Sequence, residues 1–140
     1  MIVHQRTLEI ATRTRGFTDA TREIAGVVAE SGVVVGLCSV FVQHTSASLV
    51  IQENADPSVL RDLAAWLTRL APEASHYEHD AEGPDDMPSH LRSAVTRTGE
   101  VVPVSAGHLA LGTWQAIYLW EHRTAPHTRR LVVTVTGTGA

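Results

Sequence analysis

The 140-residue sequence contains no lysine, and all 11 of its formal cations are arginine. That absence excludes a Schiff-base mechanism and the lysine of a phosphate-binding P-loop. Cysteine is nearly absent too: Cys38 stands alone, so no disulfide can form within the chain. Its place in an apolar run is that of a buried small thiol. A reducing compartment, and with it a cytoplasmic location, is the expectation. No apolar run reaches the roughly 20 residues of a membrane-spanning helix. Met1–Arg15 carries polar residues where a signal peptide has its apolar core. Basic surplus is missing as well. A formal net charge of -4 speaks against a general nucleic-acid binder, which shows a basic stripe. The chain is therefore expected to meet neither membrane nor nucleic acid.

What is present is enough for one domain over residues 1–140, with 44% hydrophobic and 19% charged residues. Ile2–Thr14 alternates in part and reads as a half-exposed strand broken at Gly16. Thr18 or Asp19 can cap a helix whose apolar stripe is Ala20, Ile24, Val27 and Val28, stopped by Gly32. Val33–Gln43 is almost continuously apolar and β-branched, the pattern of a strand covered on both faces. A short strand follows over Ser48–Gln52. Asp56 then caps a helix opened by Pro57 and carried to Pro72 by Leu60, Leu63, Leu67 and Leu70. From Glu73 to Pro88 the sequence is polar. A short helix runs from Asp86 or Met87 to Arg97, and strands follow over Glu100–Ser105, Leu109–Trp120 and Arg129–Thr136. This order predicts an α+β fold with mostly antiparallel pairing.

Chemistry concentrates in four places. His44, Thr45, Ser46 and Ser48 leave the end of the most apolar strand, without the Gly-x-Ser-x-Gly elbow of a serine nucleophile. Their plainer role is to bond nearby backbone in a turn. Glu53 and Asn54 lie between a strand and a helix N-terminus, where free amides favour an anion. The polar stretch 76–90 holds His76, His79 and His90 among Glu78, Asp80, Glu82, Asp85 and Asp86. Imidazole suits zinc and carboxylate suits harder ions such as magnesium, so the stretch reads either as a solvated acidic loop or as a divalent-metal site with His79 and His90 on one ion. Finally, Gly112 inside a strand marks a bulge or a close approach. Gln115 and Glu121 on that strand would stand about 20 Å apart at ~3.3 Å per residue, so they belong to one pocket only if the strand bends or another subunit intervenes. Arg123, Arg129 and Arg130 supply planar forks for phosphate or carboxylate. His4, His76, His108, His122 and His127 are expected in surface or turn roles.

His44-Thr45-Ser46-Ala47, Glu53-Asn54-Ala55-Asp56-Pro57, Asp85-Asp86-Met87-Pro88-Ser89-His90, Leu111-Gly112-Thr113-Trp114-Gln115 and Glu121-His122-Arg123 together resemble the YjbQ family, from about residue 5 to residue 137. The resemblance implies a compact, mostly antiparallel two-sheet β-sandwich with flanking helices, assembled as a homotrimer. It also implies the label its members often carry, secondary thiamine-phosphate synthase: a transferase joining a pyrimidine pyrophosphate to a thiazole phosphate, with weak activity. Carried over by position, the polar site comprises His44, His79 and His90 as ligands of a divalent metal ion, Zn or Mg. Glu53, Asp86 and Glu121 become its catalytic carboxylates with Asp56 nearby, and Asn54, Gln115 and Arg123 its contacts to a phosphate-bearing small molecule. Two functional expectations follow. One is a metal-assisted enzyme acting on a phosphorylated or pyrophosphorylated small molecule; the other is a noncatalytic metal- or anion-binding protein that senses a metabolite.

Overall fold

The computed structural model describes residues 1–74 and 76–140. Among these residues, eight strands and three helices follow one another as β1 (Ile2–Thr12), β2 (Gly16–Asp19), α1 (Thr21–Ser31), β3 (Val35–Val42), β4 (Ala47–Glu53), α2 (Pro57–Leu70), α3 (Asp86–Val95), β5 (Gly99–Ser105), β6 (His108–Leu109), β7 (Gln115–Glu121) and β8 (His127–Thr138). They form two sheets, ordered β1-β8-β3-β5-β6 and β2-β7-β4, in which neighbouring strands are antiparallel throughout. This is the α+β, two-sheet architecture expected from the order of elements.

Alternation decides what each sheet buries. On the larger sheet Leu8, Ile10, Cys38, Val40, Val102, Val104, Leu131, Val133 and Val135 point inward. On the smaller one Ala47, Leu49, Ile117 and Leu119 face them. Helix α1 adds Ile24, Val27 and Val28, the stripe read from the sequence, to the same core, and Gly32 ends it in the left-handed conformation at φ 74°, as a C-terminal glycine should. Cys38 lies fully buried, and burial pushes its thiol up to about 11.

Asp56 caps α2 as expected: its side chain accepts from the Ser58 backbone N–H at 2.9 Å, with Pro57 in the first turn, a contribution of about 1 kcal/mol. The helix lies over the outer face of the smaller sheet together with α3. At one point strand β3 touches β8 unusually closely. A Cβ on Gly36 would stand 1.9 Å from the Thr136 carbonyl oxygen, so only glycine fits.

Three expectations need correction. The first strand ends at Thr12, and a separate strand β2 pairs with β7 of the other sheet; Gly16 is therefore a crossing point between sheets, not a terminator before a helix. Strand β3 is covered on one face only, and Val35, Leu37 and Phe41 are exposed on the other with Val3 and Val101. Leu109–Trp120 is not one strand: Gly112–Trp114 form a turn closed by Gln115, whose side-chain oxygen accepts from the Gly112 N–H at 2.8 Å.

Candidate metal centre

Helix α3 builds the site because of its spacing. Asp86, Ser89, His90 and Ser93 follow one another at i, i+3, i+4 and i+7 and so share one face. The two serines dock the helix: Ser89 Oγ donates to the His122 carbonyl at 2.9 Å and Ser93 Oγ to that of Ala47 at 3.2 Å. This holds Asp86 almost completely buried at the helix start. His79 reaches it from the preceding loop, its Nε2 2.7 Å from Asp86 Oδ2, and His90 Nε2 lies 3.5 Å from the same oxygen.

The donor atoms of His79, Asp86 and His90 all lie within 4.8 Å of one another. Two imidazole nitrogens and one carboxylate oxygen form a donor set that zinc accepts, with a position left over for water or substrate. The other Asp86 oxygen accepts from Arg123 Nη1 at 3.0 Å, which fixes the plane of the carboxylate. Burial opposes the Asp86 charge, but the bond to His79 and the nearby His90 and Arg123 hold its carboxyl below the usual range. A ligand carboxylate that stays ionised is what a cation needs.

Asp85 completes the support. It accepts from Arg123 Nε at 3.0 Å and the Thr124 backbone N–H at 2.9 Å. Against the cost of burial, these bonds lower its carboxyl to about 2. Arg123 also donates to the Glu82 carbonyl at 3.0 Å. Its fork is thus committed to Asp85, Asp86 and the loop, and it positions Asp86 without offering a free edge to phosphate.

The remaining expected site residues are dispersed. His44 Nε2 accepts from the Arg130 backbone N–H at 2.8 Å, and His44 sits outside the cluster of three, across a hollow of about 250 Å³ that it shares with His90. Glu121 lies between the sheets and bonds Arg129 Nε at 2.9 Å and the Thr12 hydroxyl at 2.6 Å. Glu53, Asn54 and Gln115 gather at the opposite end of β7, since Glu53 pairs with Gln115 while Glu121 pairs with Ala47. There Asn54 Nδ2 donates to the Thr113 carbonyl at 3.1 Å and the Glu53 carboxylate accepts from the Ala55 N–H at 3.1 Å. Asp56 serves as the cap of α2.

His122, expected in a surface or turn role, is completely buried. It continues the outward parity of Tyr118 and Trp120 on β7, and this outer face is covered by helices; that parity was the signal in the sequence. Its Nε2 lies 2.8 Å from Ser48 Oγ, and burial lowers its pKa to about 3.

The comparisons with known proteins agree with one another. A model of the family described as UPF0047 protein YjbQ-like matches residues 6–138. The UPF0047 protein sll1880 of Synechocystis sp. is 54% identical over 135 residues, covering 96% of this chain and 92% of that protein. The UPF0047 protein YjbQ of Escherichia coli O157:H7 is 44% identical, covering 96% and 98%. Among solved structures, a YjbQ/UPF0047-family protein of Clostridium acetobutylicum superposes with a TM-score of 0.82 at 34% identity, over 92% of this chain and 99% of that one. A YbjQ-like protein of Sulfolobus solfataricus shares the fold, with a TM-score of 0.86. The chain belongs to the UPF0047 family of YjbQ-like proteins.

Proposed function

We propose that His79, Asp86 and His90 bind one divalent cation, zinc before magnesium, and that the protein uses it on a phosphorylated or pyrophosphorylated small molecule. The observation that carries this reading is the convergence of the three donor atoms within 4.8 Å around a buried, ionised carboxylate. A bound cation would neutralise charge on a departing phosphate or pyrophosphate. A cleft of about 320 Å³ opens beside His79, walled by Tyr77, Gly83, Met87 and Pro88, and gives such a molecule room. The transfer of the pyrimidine group of a pyrimidine pyrophosphate to a thiazole phosphate, with pyrophosphate as the leaving group, as a weak thiamine-phosphate synthase activity, is the reaction to test first.

Calorimetric titration of metal-free protein with zinc should give one site per chain. His90→Ala and Asp86→Ala should each weaken it by about 10²-fold or more, in the manner of lost ligands and close supports. Unchanged zinc affinity in both variants would sink the assignment. Pyrophosphate release from the two substrates, present in the zinc-loaded protein and lost in His90→Ala, supports the enzyme. Zinc binding without release supports the second reading, a noncatalytic metal- or anion-binding sensor, whose metal-binding form the engagement of Arg123 by Asp85, Asp86 and Glu82 favours.

The exposed Val35, Leu37, Phe41 and Val101 on the outer face of the larger sheet support association with further copies of the chain, as a homotrimer. Light scattering should give three times the 15.1 kDa chain mass, and Phe41→Glu with Leu37→Glu should return it to that of one chain; a monomeric parent protein refutes this.

A further inference from the structure

Arg92, on α3, is only 2% exposed, and its surroundings do not account for its charge. Its Nε and Nη2 donate to the Ala71 carbonyl at 3.2 and 3.0 Å, but among the described residues no carboxylate pairs with it; Glu73 and Asp85 act on it from farther off. The other deeply buried arginine, Arg129, has Glu121 as its counter-charge. A guanidinium withdrawn from water without an anion is unfavourable.

Arg92 borders a cavity of about 240 Å³ between α2 and the outer face of β2 and β7. Leu60 from the helix and the stacked rings of Phe17 and Trp120, 4.5 Å apart, form its apolar walls. Its polar lining is cationic or neutral: Arg15, Arg61 and His122 accompany Arg92, and among the described residues no carboxylate lines it. Arg15 is already neutralised by Glu73 at 2.8 Å, and Arg61 lies exposed at the rim. One positive charge is therefore left over in the interior.

His122 adds a third, independent observation. Its Nδ1 is a buried side-chain polar atom without a hydrogen-bond partner among the described residues. With the proton on Nδ1, Ser48 can donate to Nε2, and Nδ1–H is left to donate to an acceptor. A buried donor of this kind is costly unless something meets it.

We propose that this cavity binds a small organic monocarboxylate with a flat apolar body. The carboxylate takes the charge of Arg92 and the hydrogen bond of His122, and the body lies between α2 and Trp120. Apolar cavities of ~150 Å³ already accept benzene, so the space here admits a ring with its head group. The site shares no residue with the His79, Asp86 and His90 cluster and does not depend on a metal.

Calorimetry on metal-free full-length protein, with benzoate as probe, tests this apart from the zinc site. Saturable binding of one benzoate per chain is expected, at least about tenfold tighter than that of benzyl alcohol, which lacks the charge. Arg92→Met, of similar length and without the buried charge, should weaken benzoate at least about tenfold. Ala64→Leu, which fills the cavity from the α2 wall with another good helix former, should abolish binding, and it keeps the test alive if Arg92→Met fails to fold. The proposal is overturned by no saturable binding up to about 10 mM benzoate, or by equal affinity for benzyl alcohol. Tighter binding of inorganic phosphate, or benzoate affinity unchanged in Ala64→Leu, overturns it equally.

Discussion

Glu121→Ala should lower the free energy of unfolding by about 3–5 kcal/mol, measured by urea denaturation at one fixed protein concentration. Glu121 is completely buried on β7, and Arg129 is 3% exposed on β8, so their bond joins the two sheets through the middle of the sandwich. The guanidinium meets both carboxylate oxygens, Thr12 donates to one of them, and the Arg123 backbone N–H donates to the other at 3.2 Å. Burial works against the Glu121 charge, but Arg129 and Thr12 more than offset it and hold its carboxyl below the usual range. Truncating Glu121 leaves a buried guanidinium whose remaining partner is Ser46, through its carbonyl and hydroxyl. The loss is thus mostly the penalty of an orphaned charge. Glu121→Leu combined with Arg129→Met should recover much of it, because a buried ion pair replaced whole by apolar groups is often close to neutral. If the double variant is as unstable as the two single losses added together, the pair is not coupled as described.

His122 gives the second large effect, and it depends on pH. Its pKa is about 3 in the folded protein against about 6.5 in an unfolded chain. Between these values the unfolded chain takes up a proton and the folded one does not. Stability therefore falls as pH drops below about 6.5, with a slope of up to about 1.4 kcal/mol per pH unit. Urea midpoints from about pH 7 to about pH 4.5 keep clear of Asp85, whose carboxyl titrates near 2. His44 contributes with the same sign, since burial and the neighbouring arginines lower its pKa too. The measure is therefore the difference between the parent protein and His122→Gln, which retains a neutral hydrogen-bonding side chain. The variant should lose most of the slope; an identical slope in both would mean that His122 is protonated in the folded state.

Much of this was legible locally. The Asp56 cap, the α1 stripe and its end at Gly32 each depend on residues within a few positions of one another, and so does the pairing of Asp86 with His90 on one helical face. His79 joined them from a short distance along the same polar stretch. What local pattern could not supply was anything set by how strands pair within a sheet or meet across the two sheets. Glu121 meets Arg129 because β7 and β8 face each other across the core, and no spacing in the sequence announces that. The register of β4 against β7 sends Glu53, Asn54 and Gln115 to the far end of β7, so residues grouped by residue type and family motif stand in separate places. β2 was hidden because four residues of mixed polarity carry little period-two signal. The exposed side of β3 was misread because an apolar residue on an exposed strand face looks, in sequence, like one buried by its own chain.

Cys38 turns the centre of the larger sheet into a native reporter. A thiol that is fully buried, and held protonated by its surroundings, is closed to alkylating reagents in the folded chain. Its side chain points from β3 into the core between the two sheets, so exposing it requires those layers to part. As the chain's one cysteine, it lets the labelling rate of unmodified protein follow the opening of the sandwich alone. Ligand effects on that opening can then be read without introducing any probe.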